Sequence, residues 1–419
     1  MDIASLYKIY LNHPSISTDT RSIKAGDIFF ALKGPTYNGN AYTKNAFDAG
    51  AVLCVVDEET DGDGNNTIKV DDVLTTLQQL ALHHRLQFNI PFLAITGTNG
   101  KTTTKELIHA VLSSTYKTYT TQGNLNNHIG IPLTILKIKQ DAEVAVIEMG
   151  ANHIGEIASY CEIVRPDYGL ITNCGKAHLE GFGSEEGVRK GKGELFDYLR
   201  TQGGTAFINR DFSYLMEMSS GITNRIYYGN KNGIHENTDG EHLSLKLSDG
   251  SDLHTQLVGN YNLTNVQAAI AIGEFFNIPL QSIKRALEEY TPSNNRSQMK
   301  EWNTNKVILD AYNANPSSMA AAIKNFASLQ SARKILILGG MKEMGEESEA
   351  EHRALVDLIS NYEWERVILV GEEFKNVPAN YLHFKDSEGA KQWLNANPFS
   401  GTHILLKGSR GLRMEKVLE

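Results

Sequence analysis

The sequence predicts an α/β protein of several domains with mainly parallel sheets. Two observations carry that expectation. Short, continuous apolar runs recur along the chain: PFLAIT from Pro91, VAVIEMG from Val144, YGLITN from Tyr168, KILILGG from Lys334 and RVILVG from Arg366. Amphipathic stretches such as TTTKELIHAVLSS and AEHRALVDLIS lie between several of them. A strand buried on both faces reads as an unbroken apolar run, and parallel neighbours need a crossover, most often a helix. The length of 419 residues, at roughly 150 per domain, gives two or three domains.

Two cuts follow from composition. A helical run, VLTTLQQLALHHRLQF, ends before Asn89–Pro91, where a new strand begins. A polar, turn-rich stretch, TPSNNRSQ (Thr291 to Gln298), follows the helical LQSIKRALEEY. The expected domains are 1–90, 91–297 and 298–419. Within the middle one, GNKNGIHENTDGEHLSLKLSDGSDLHTQLVG is polar, with turn signals and period-two runs, and reads as a small antiparallel excursion.

Hydrophobic residues make up 41% of the chain and charged residues 21%, which suits buried cores rather than disorder. The net charge of −9 argues against nucleic-acid binding through a broadly basic surface. Cys54, Cys161 and Cys174 are too scattered for a disulfide framework or a CxxC metal site. The opening MDIASLYKIYLNHPS carries Asp2 and Lys8 and is not expected to act as a secretory signal. No run approaches the apolar length of a membrane span. A cytoplasmic protein in a reducing compartment is expected.

The most informative stretch is AITGTNGKTTTKELI, Ala94 to Ile108. A strand runs into a glycine-containing loop, then Lys101 and Thr102, then a helix. Gly97 and Gly100 let the backbone turn tightly and aim N–H groups at phosphate oxygens. The helix start adds its positive dipole end. Lys101 supplies a mobile charge to the β- and γ-phosphates, and the Thr102 hydroxyl is placed for Mg²⁺. The general pattern wants glycine five residues before Gly100, where Ile95 stands, so GTNGKTT is a variant of the loop. No Asn-Lys-x-Asp guanine reader occurs, which ranks an ATP-dependent kinase or ligase above a GTP switch.

Other polar residues follow the apolar runs. Glu148 ends VAVIEMG, where an α/β nucleotide site needs a Mg²⁺ partner; the plain alternative is a solvated strand-end carboxylate. His178 and Glu180 lie in ITNCGKAHLEGFGS, beyond the next strand. Lys190 and Lys192 sit in EGVRKGKGELFDYL, where the plain alternative is a solvated basic helix face.

Together these stretches resemble the Mur ligase family of ATP-dependent, amide-forming ligases of peptidoglycan synthesis. STDTRSIKAGDIFFALKG (Ser17 to Gly34) resembles its uridine-nucleotide-binding start. TQGNLNNHIGIPLTIL, AVIEMGANHIGEI, TNCGKAHLEGFGS, DAYNANPSSM and LLKGSRGLRMEKVL resemble the branch that adds D-alanyl-D-alanine. The Asp-Asn-Pro-Arg motif of the diamino-acid-adding branch is absent.

The resemblance implies a central P-loop ATPase domain, a small N-terminal α/β domain and a C-terminal Rossmann-like domain. It implies ATP contacts from Gly97, Thr98, Asn99, Gly100, Lys101, Thr102, Thr103, Asn262, Asn265, Arg296 and Asp310. Helix capping is the plain reading of Asn262 and Asn265. Thr102, Glu148, His178 and Lys192 are the implied metal ligands, with two Mg²⁺ ions expected. Lys192 matches a lysine that becomes a carbamate by reacting with CO₂, although Gly191 stands where the family often has alanine. Arg296 matches an arginine that glycine commonly precedes; here Asn295 does. Ser17, Thr18, Asp19, Thr20, Arg21 and Gly34 would hold the UDP end of UDP-N-acetylmuramoyl-tripeptide. Asn313, Asn315, Lys407, Ser409 and Arg410 are candidates for D-alanyl-D-alanine, with ordinary turn chemistry as their alternative.

The implied reaction activates a carboxylate as an acyl phosphate, which the amine then attacks. Lys101, Lys192, His178 and Arg296 are the expected catalytic residues, because phosphoryl transfer needs positioning and charge neutralisation. A monomer that closes around its substrates is expected. The rivals are another ligase of the superfamily, such as a folylpolyglutamate synthase or the diamino-acid-adding enzyme, and a non-enzymatic nucleotide-binding protein. The first would share the loop but lack GNLNN and NANP. The second would be expected to lose Lys101, Glu148 or Lys192.

Overall fold

The computed structural model describes the main chain of residues 2–60, 66–229, 235–237, 241–292, 295–331, 333–378 and 380–419. Part of the polar excursion (230–234 and 238–240) and two residues of the second turn-rich stretch (293–294) lie outside them. The described chain divides into two compact units, one of 1–95, 116–151 and 155–169, the other of 96–115, 152–154 and 170–419.

The first unit begins with a four-stranded parallel sheet, Ile16–Ser17, Ile28–Phe30, Leu53–Val56 and Thr67–Lys69, in that order. Phe29, Ala31, Ala46, Cys54 and Val56 fill one of its cores. The same unit holds Phe92–Ile95, Val144–Glu148 and Thr118–Thr120 in parallel pairing, with Val144–Glu148 in the middle. All five residues of Val144–Glu148 are buried, which is why the run is apolar until its last residue.

The helix Val73–Arg85 carries His84, whose environment is closed on every side. Its Nδ1 faces the Tyr7 hydroxyl at 2.9 Å and its Nε2 the Ile138 carbonyl at 2.8 Å. Phe88 and Tyr10 meet the ring edge-on. Arg85 beside it donates to the carbonyls of Val164, Phe88 and Arg165 and lies within 3.7 Å of the Asp167 carboxylate, so a buried cation satisfies three backbone acceptors.

The second unit contains the helix Lys101–Ser113, packed beside Leu263–Phe275, and the parallel pair Thr205–Asn209 and Asn224–Tyr228. The expected excursion is present as antiparallel strands, His235–Asn237, His242–Lys246 and Asp252–Val258. Along Asp252–Val258 burial alternates residue by residue before Val258, the signature of a sheet with one wet face.

The rest of the second unit is a six-stranded sheet in the order Gln298–Trp302, Asn305–Asp310, His403–Lys407, Lys334–Gly339, Arg366–Val370, Leu382–Phe384. Every neighbouring pair is parallel except the first. Successive residues feed opposite cores. Ile308, Leu336, Leu338, Leu369 and Leu405 pack with Met319, Ile323 and Phe326 of one helical layer. Val307, Leu309, Ile335, Ile337, Ile368 and Leu406 pack with Leu394 and Met414 on the other face. That two-sided burial explains KILILGG and RVILVG as unbroken runs. The last strand, His403–Lys407, inserts between the second and third in sequence, so the strand order reverses beside Lys407. In open α/β sheets a crevice forms at the carboxyl ends where the order reverses.

Burial lowers the His84 pKa, while its bond to the Ile138 carbonyl opposes the shift in part. A histidine depressed below its ordinary value of about 6.5 binds fewer protons folded than unfolded at mildly acid pH. Stability is therefore expected to fall as pH drops through about 6.5, and to stop falling below the folded value. Thermal unfolding between pH 8 and 5 checks this. His84→Gln should start from a lower midpoint and show a flatter pH profile.

Candidate functional site

The phosphate-binding loop connects the fully buried strand Phe92–Thr96 to the helix Lys101–Ser113. Both glycines are required by geometry. Gly97 has φ 143° and Gly100 φ 79°. A Cβ at Gly97 would lie 2.0 Å from the Thr172 hydroxyl oxygen, and one at Gly100 2.5 Å from Asn265 Oδ1.

Asn99, between them, is held by four bonds. Its N–H donates to Asn173 Oδ1 (3.0 Å), and its carbonyl accepts from the Thr172 hydroxyl (2.6 Å) and Asn173 Nδ2 (3.1 Å). Its side-chain oxygen accepts from Asn315 Nδ2 (2.8 Å). Thr98 is fixed likewise: its N–H donates to the Asn173 carbonyl, and its hydroxyl exchanges bonds with Gly175. The loop is thus clamped by residues 172–175, the stretch that follows the strand Tyr168–Ile171.

The Lys101 ammonium curls back to the carbonyls of Gly97 (2.7 Å) and Thr98 (3.0 Å). It sits over the loop's hollow, where it can exchange those neutral acceptors for phosphate oxygens. Thr102 is buried at the second position of the helix. Behind the loop, Asn262 and Asn265 form a buried chain. Thr104 donates to Asn265 Oδ1, Asn265 Nδ2 to Asn262 Oδ1, and Asn262 Nδ2 to the Val258 carbonyl. Neither acts as the helix-capping side chain considered from sequence. Here they support the glycine turn from behind.

His178 has φ 51°, in the left-handed region, at the start of the short helix Leu179–Phe182. Its Nδ1 is in contact with Glu343 Oε2. Lys190 and Lys192 part company on their helix, Glu185–Gln202. Lys190 is exposed, as its plain alternative holds, whereas Lys192 is only 1% exposed, with its ammonium 5.0 Å from the centre of the Phe182 ring. Gly191 beside it packs on that ring: a Cβ there would meet Phe182 at 2.5 Å, which explains the missing alanine.

The Arg296 guanidinium carbon lies over the Tyr312 ring, 3.7 Å from its centre, with that of Arg410 5.8 Å from the same centre. The Arg296 Nε is buried and has no hydrogen-bond partner among the described residues. Arg296 is flanked by two residues in left-handed backbone, Asn295 (φ 56°) and Ser297 (φ 46°). The glycine common at the first position is understandable, and asparagine is the residue that best tolerates that region after glycine. Asp310 and Lys407 end neighbouring strands and pair at 2.5 Å, with Lys407 2% exposed. Removing one partner of such a buried pair typically costs about 3–5 kcal/mol.

Asn315 caps the helix Pro316–Ser328 in a reciprocal box with Ser318, and Asn313 accepts from the Ala314 N–H. Both do turn work, but the Asn315 amide also reaches Asn99. Ser409 accepts from the Lys342 N–H, and Arg410 pairs with Glu415.

Two groups belong to the first unit. Glu148 is 1% exposed; its Oε1 accepts from Asn126 Nδ2 at 2.7 Å, and its buried Oε2 has no hydrogen-bond partner among the described residues. That orphaned oxygen fits a cation ligand. Among the described residues no three His, Cys, Asp or Glu side chains gather as a metal cage. Magnesium held by phosphate and water oxygens needs only one or two carboxylates, so the donor set fits. Asn126, in GNLNN, is the partner that sequence reasoning did not single out.

At the proposed uridine end, Ser17 bonds to the Asp19 carbonyl and the Ser22 hydroxyl. Asp19 caps the turn Thr20–Ser22, and its carboxyl is drawn down to about 2 by hydrogen bonds from Arg21. Both side chains are too exposed for this pair to add much stability. Gly34 lies under the Tyr37 ring, where a Cβ would meet it at 2.3 Å.

A strand, a glycine turn and a lysine-led helix set among parallel sheets define a P-loop α/β nucleotide-binding protein. The comparisons narrow the class. Family models described as "Mur ligase family, catalytic domain", "Mur ligase middle domain" and "Mur ligase, glutamate ligase domain" match residues 14–85, 95–273 and 295–410. The UDP-N-acetylmuramoyl-tripeptide–D-alanyl-D-alanine ligase of Bacillus subtilis is 33% identical, over 96% of this chain and 92% of that protein. The Escherichia coli ligase of the same name is 34% identical over the same shares. The crystal structure of MurF from Acinetobacter baumannii superposes with a TM-score of 0.86 at 28% identity, covering 96% of this chain and 92% of that one. MurF ligase from Thermotoga maritima in complex with ADP gives 0.86 at 25% identity, covering 97% of each chain. This chain belongs to the Mur ligase family and has its three-domain α/β fold with parallel sheets.

Two substitutions test the backbone geometry. Gly100→Ala should destabilise the protein by about 1 kcal/mol or more, because φ is positive and Asn265 blocks the methyl. Asn295→Gly should be neutral or slightly stabilising, whereas Asn295→Val should cost about 1–2 kcal/mol. Denaturant unfolding measures both.

Proposed function

We propose that this chain is an ADP-forming ligase that joins D-alanyl-D-alanine to UDP-N-acetylmuramoyl-tripeptide, in the cytoplasmic stage of peptidoglycan synthesis. The relatives' printed activity supports the substrates, and their similarity runs nearly end to end. The single structural observation that carries the reading is the clamped glycine turn with the Lys101 ammonium folded over it. We assign 1–90 to the UDP substrate, 91–297 to ATP and 298–419 to the dipeptide. No helix among the described residues is long and apolar enough to cross a membrane. The protein is proposed to work as a monomer.

In this reading an oxygen of the tripeptide's terminal carboxylate attacks the γ-phosphorus of ATP. ADP leaves and an acyl phosphate forms. The amine nitrogen of D-alanyl-D-alanine then attacks the carbonyl carbon, giving a tetrahedral intermediate. Inorganic phosphate leaves, and the nitrogen loses its proton. The turn Gly97–Thr103 is assigned to the phosphates. The N–H groups of Thr98 and Asn99 are spent on Asn173, so the N–H groups at the helix start, Gly100 to Thr103, would meet the phosphates, and Lys101 would neutralise the charge gathering between the β- and γ-groups. Arg296, over the Tyr312 ring, offers its buried Nε to the nucleotide, and Asp310 takes part beside it. Asn262 and Asn265 keep the turn in shape.

Thr102, Glu148, His178 and, once it carries a carbamate, Lys192 are each proposed as magnesium ligands. Bound magnesium would lower the charge repulsion between carboxylate and triphosphate. Carbamate formation joins the neutral Lys192 nitrogen to CO₂ and releases one proton, which turns a buried cation site into an anionic one. Ser17, Thr18, Asp19, Thr20, Arg21 and Gly34 are assigned to the UDP end, and Asn313, Asn315, Lys407, Ser409 and Arg410 to the dipeptide.

Lys101→Ala should lower turnover by at least about 100-fold while leaving UDP-substrate affinity unchanged. Phosphate release across an amine panel tests the substrate: D-alanyl-D-alanine should support it, and glutamate or a diamino acid should not. Release with glutamate alone would reassign the chain to another branch.

A further inference from the structure

We infer that Glu343, on the loop after the strand Lys334–Gly339, is a positioning residue: it holds Nδ1 of His178 and leaves Nε2 to face the metal-bound phosphates. The inference rests on the proposal that His178 is a magnesium ligand, and it adds a residue from the C-terminal sheet to that site.

Three observations converge on it. First, Nδ1 of His178 is in contact with Glu343 Oε2. Second, both residues occupy left-handed backbone, His178 at φ 51° and Glu343 at φ 63°. Such conformations are uncommon outside glycine and asparagine, and persist where the surroundings over-determine them. Third, the loop bearing Glu343 is pinned on its near side.

The pins are specific. His352 is fully buried; its Nε2 accepts from the Met341 N–H at 2.9 Å and its Nδ1 faces the Ser348 carbonyl at 2.6 Å. The Lys342 N–H donates to the Ser409 hydroxyl at 3.0 Å, and the Lys342 ammonium pairs with Glu373. Past the contact, Gly345 packs on Glu180, two residues beyond His178. A carboxylate carried on so fixed a support can hold a ring in one orientation.

The physical effect is familiar in kind. A metal-binding histidine uses one nitrogen, and the group on the other nitrogen sets the tautomer, the ring angle and the basicity. A carboxylate against Nδ1 favours the proton there and leaves the Nε2 lone pair available.

The test measures Mn²⁺ binding by electron paramagnetic resonance, on full-length protein with a non-hydrolysable ATP analogue. His178→Ala, Glu343→Gln and Glu343→Ala are compared with the unchanged chain. Glu343→Gln should weaken Mn²⁺ binding by about tenfold and Glu343→Ala by more. UDP-substrate affinity and the unfolding midpoint should stay as they were, since the Glu343 side chain is about half exposed. Unchanged Mn²⁺ affinity in both Glu343 variants, with weakened binding in His178→Ala, would overturn this inference alone. Unchanged affinity in His178→Ala would overturn the ligand assignment as well.

Discussion

The structure of the site depends on a close approach between two pieces of backbone. The turn Gly97–Gly100 lies so near residues 172–173 that a single methyl group at Gly97 would overlap the Thr172 hydroxyl. Steric exclusion of that kind does what a long list of attractive contacts cannot. It leaves one arrangement in which the loop's polar groups can all be satisfied, and Thr98 and Asn99 find it with Thr172, Asn173 and Gly175. The same arrangement folds the Lys101 ammonium over the carbonyls of Gly97 and Thr98. Preorganised donors need no reorganisation when charge develops, which is where most of their value in phosphoryl transfer lies.

Much of this was legible in the sequence. The apolar runs at Phe92, Val144, Lys334 and Arg366 became strands because each is buried on both faces, and burial is what an unbroken run records. The glycine turn was legible because only glycine suits its angles. The partners were not. Asn99 receives Asn315 from 216 positions away, and nothing local in either asparagine announces the other. Capping and turn formation explained Asn315 adequately, and they are indeed part of what it does. Asn262 and Asn265 show the opposite case. Their position at a helix start suggested capping, yet Asn265 turns to Thr104 and the glycine turn, and Asn262 holds Asn265 and the Val258 carbonyl.

Departures from the family pattern carried information that only coordinates could release. Asn295 in place of glycine is tolerated because its side chain is among the few compatible with a positive φ. Gly191 in place of alanine is explained by the Phe182 ring that fills the space. The first departure is therefore a matter of backbone conformation and the second of volume. Neither can be told from the other in the sequence, where each is simply one residue changed beside a charged one.

The distribution of charge gives the same lesson at a larger scale. Lys407 and Asp310 pair at the ends of neighbouring strands, Lys342 pairs with Glu373, and Lys176, after the strand Tyr168–Ile171, pairs with Glu351 on the helix Ser348–Ser360. Pairs of this kind add modest stability when exposed, and their members are costly to separate when buried. Their more useful property is geometric. A charged atom fixed by a partner on another loop transmits the position of one loop to the other. Asn315 on the phosphate turn and Glu343 on His178 do the same with a hydrogen bond and a close polar contact. In the proposed reaction, Asn315, Lys407 and Asp310 would each serve a substrate as well as one of these links, so the dipeptide half and the nucleotide half would be coupled through them. A ligase that must withhold an acyl phosphate from water until its amine is present has a physical use for such coupling.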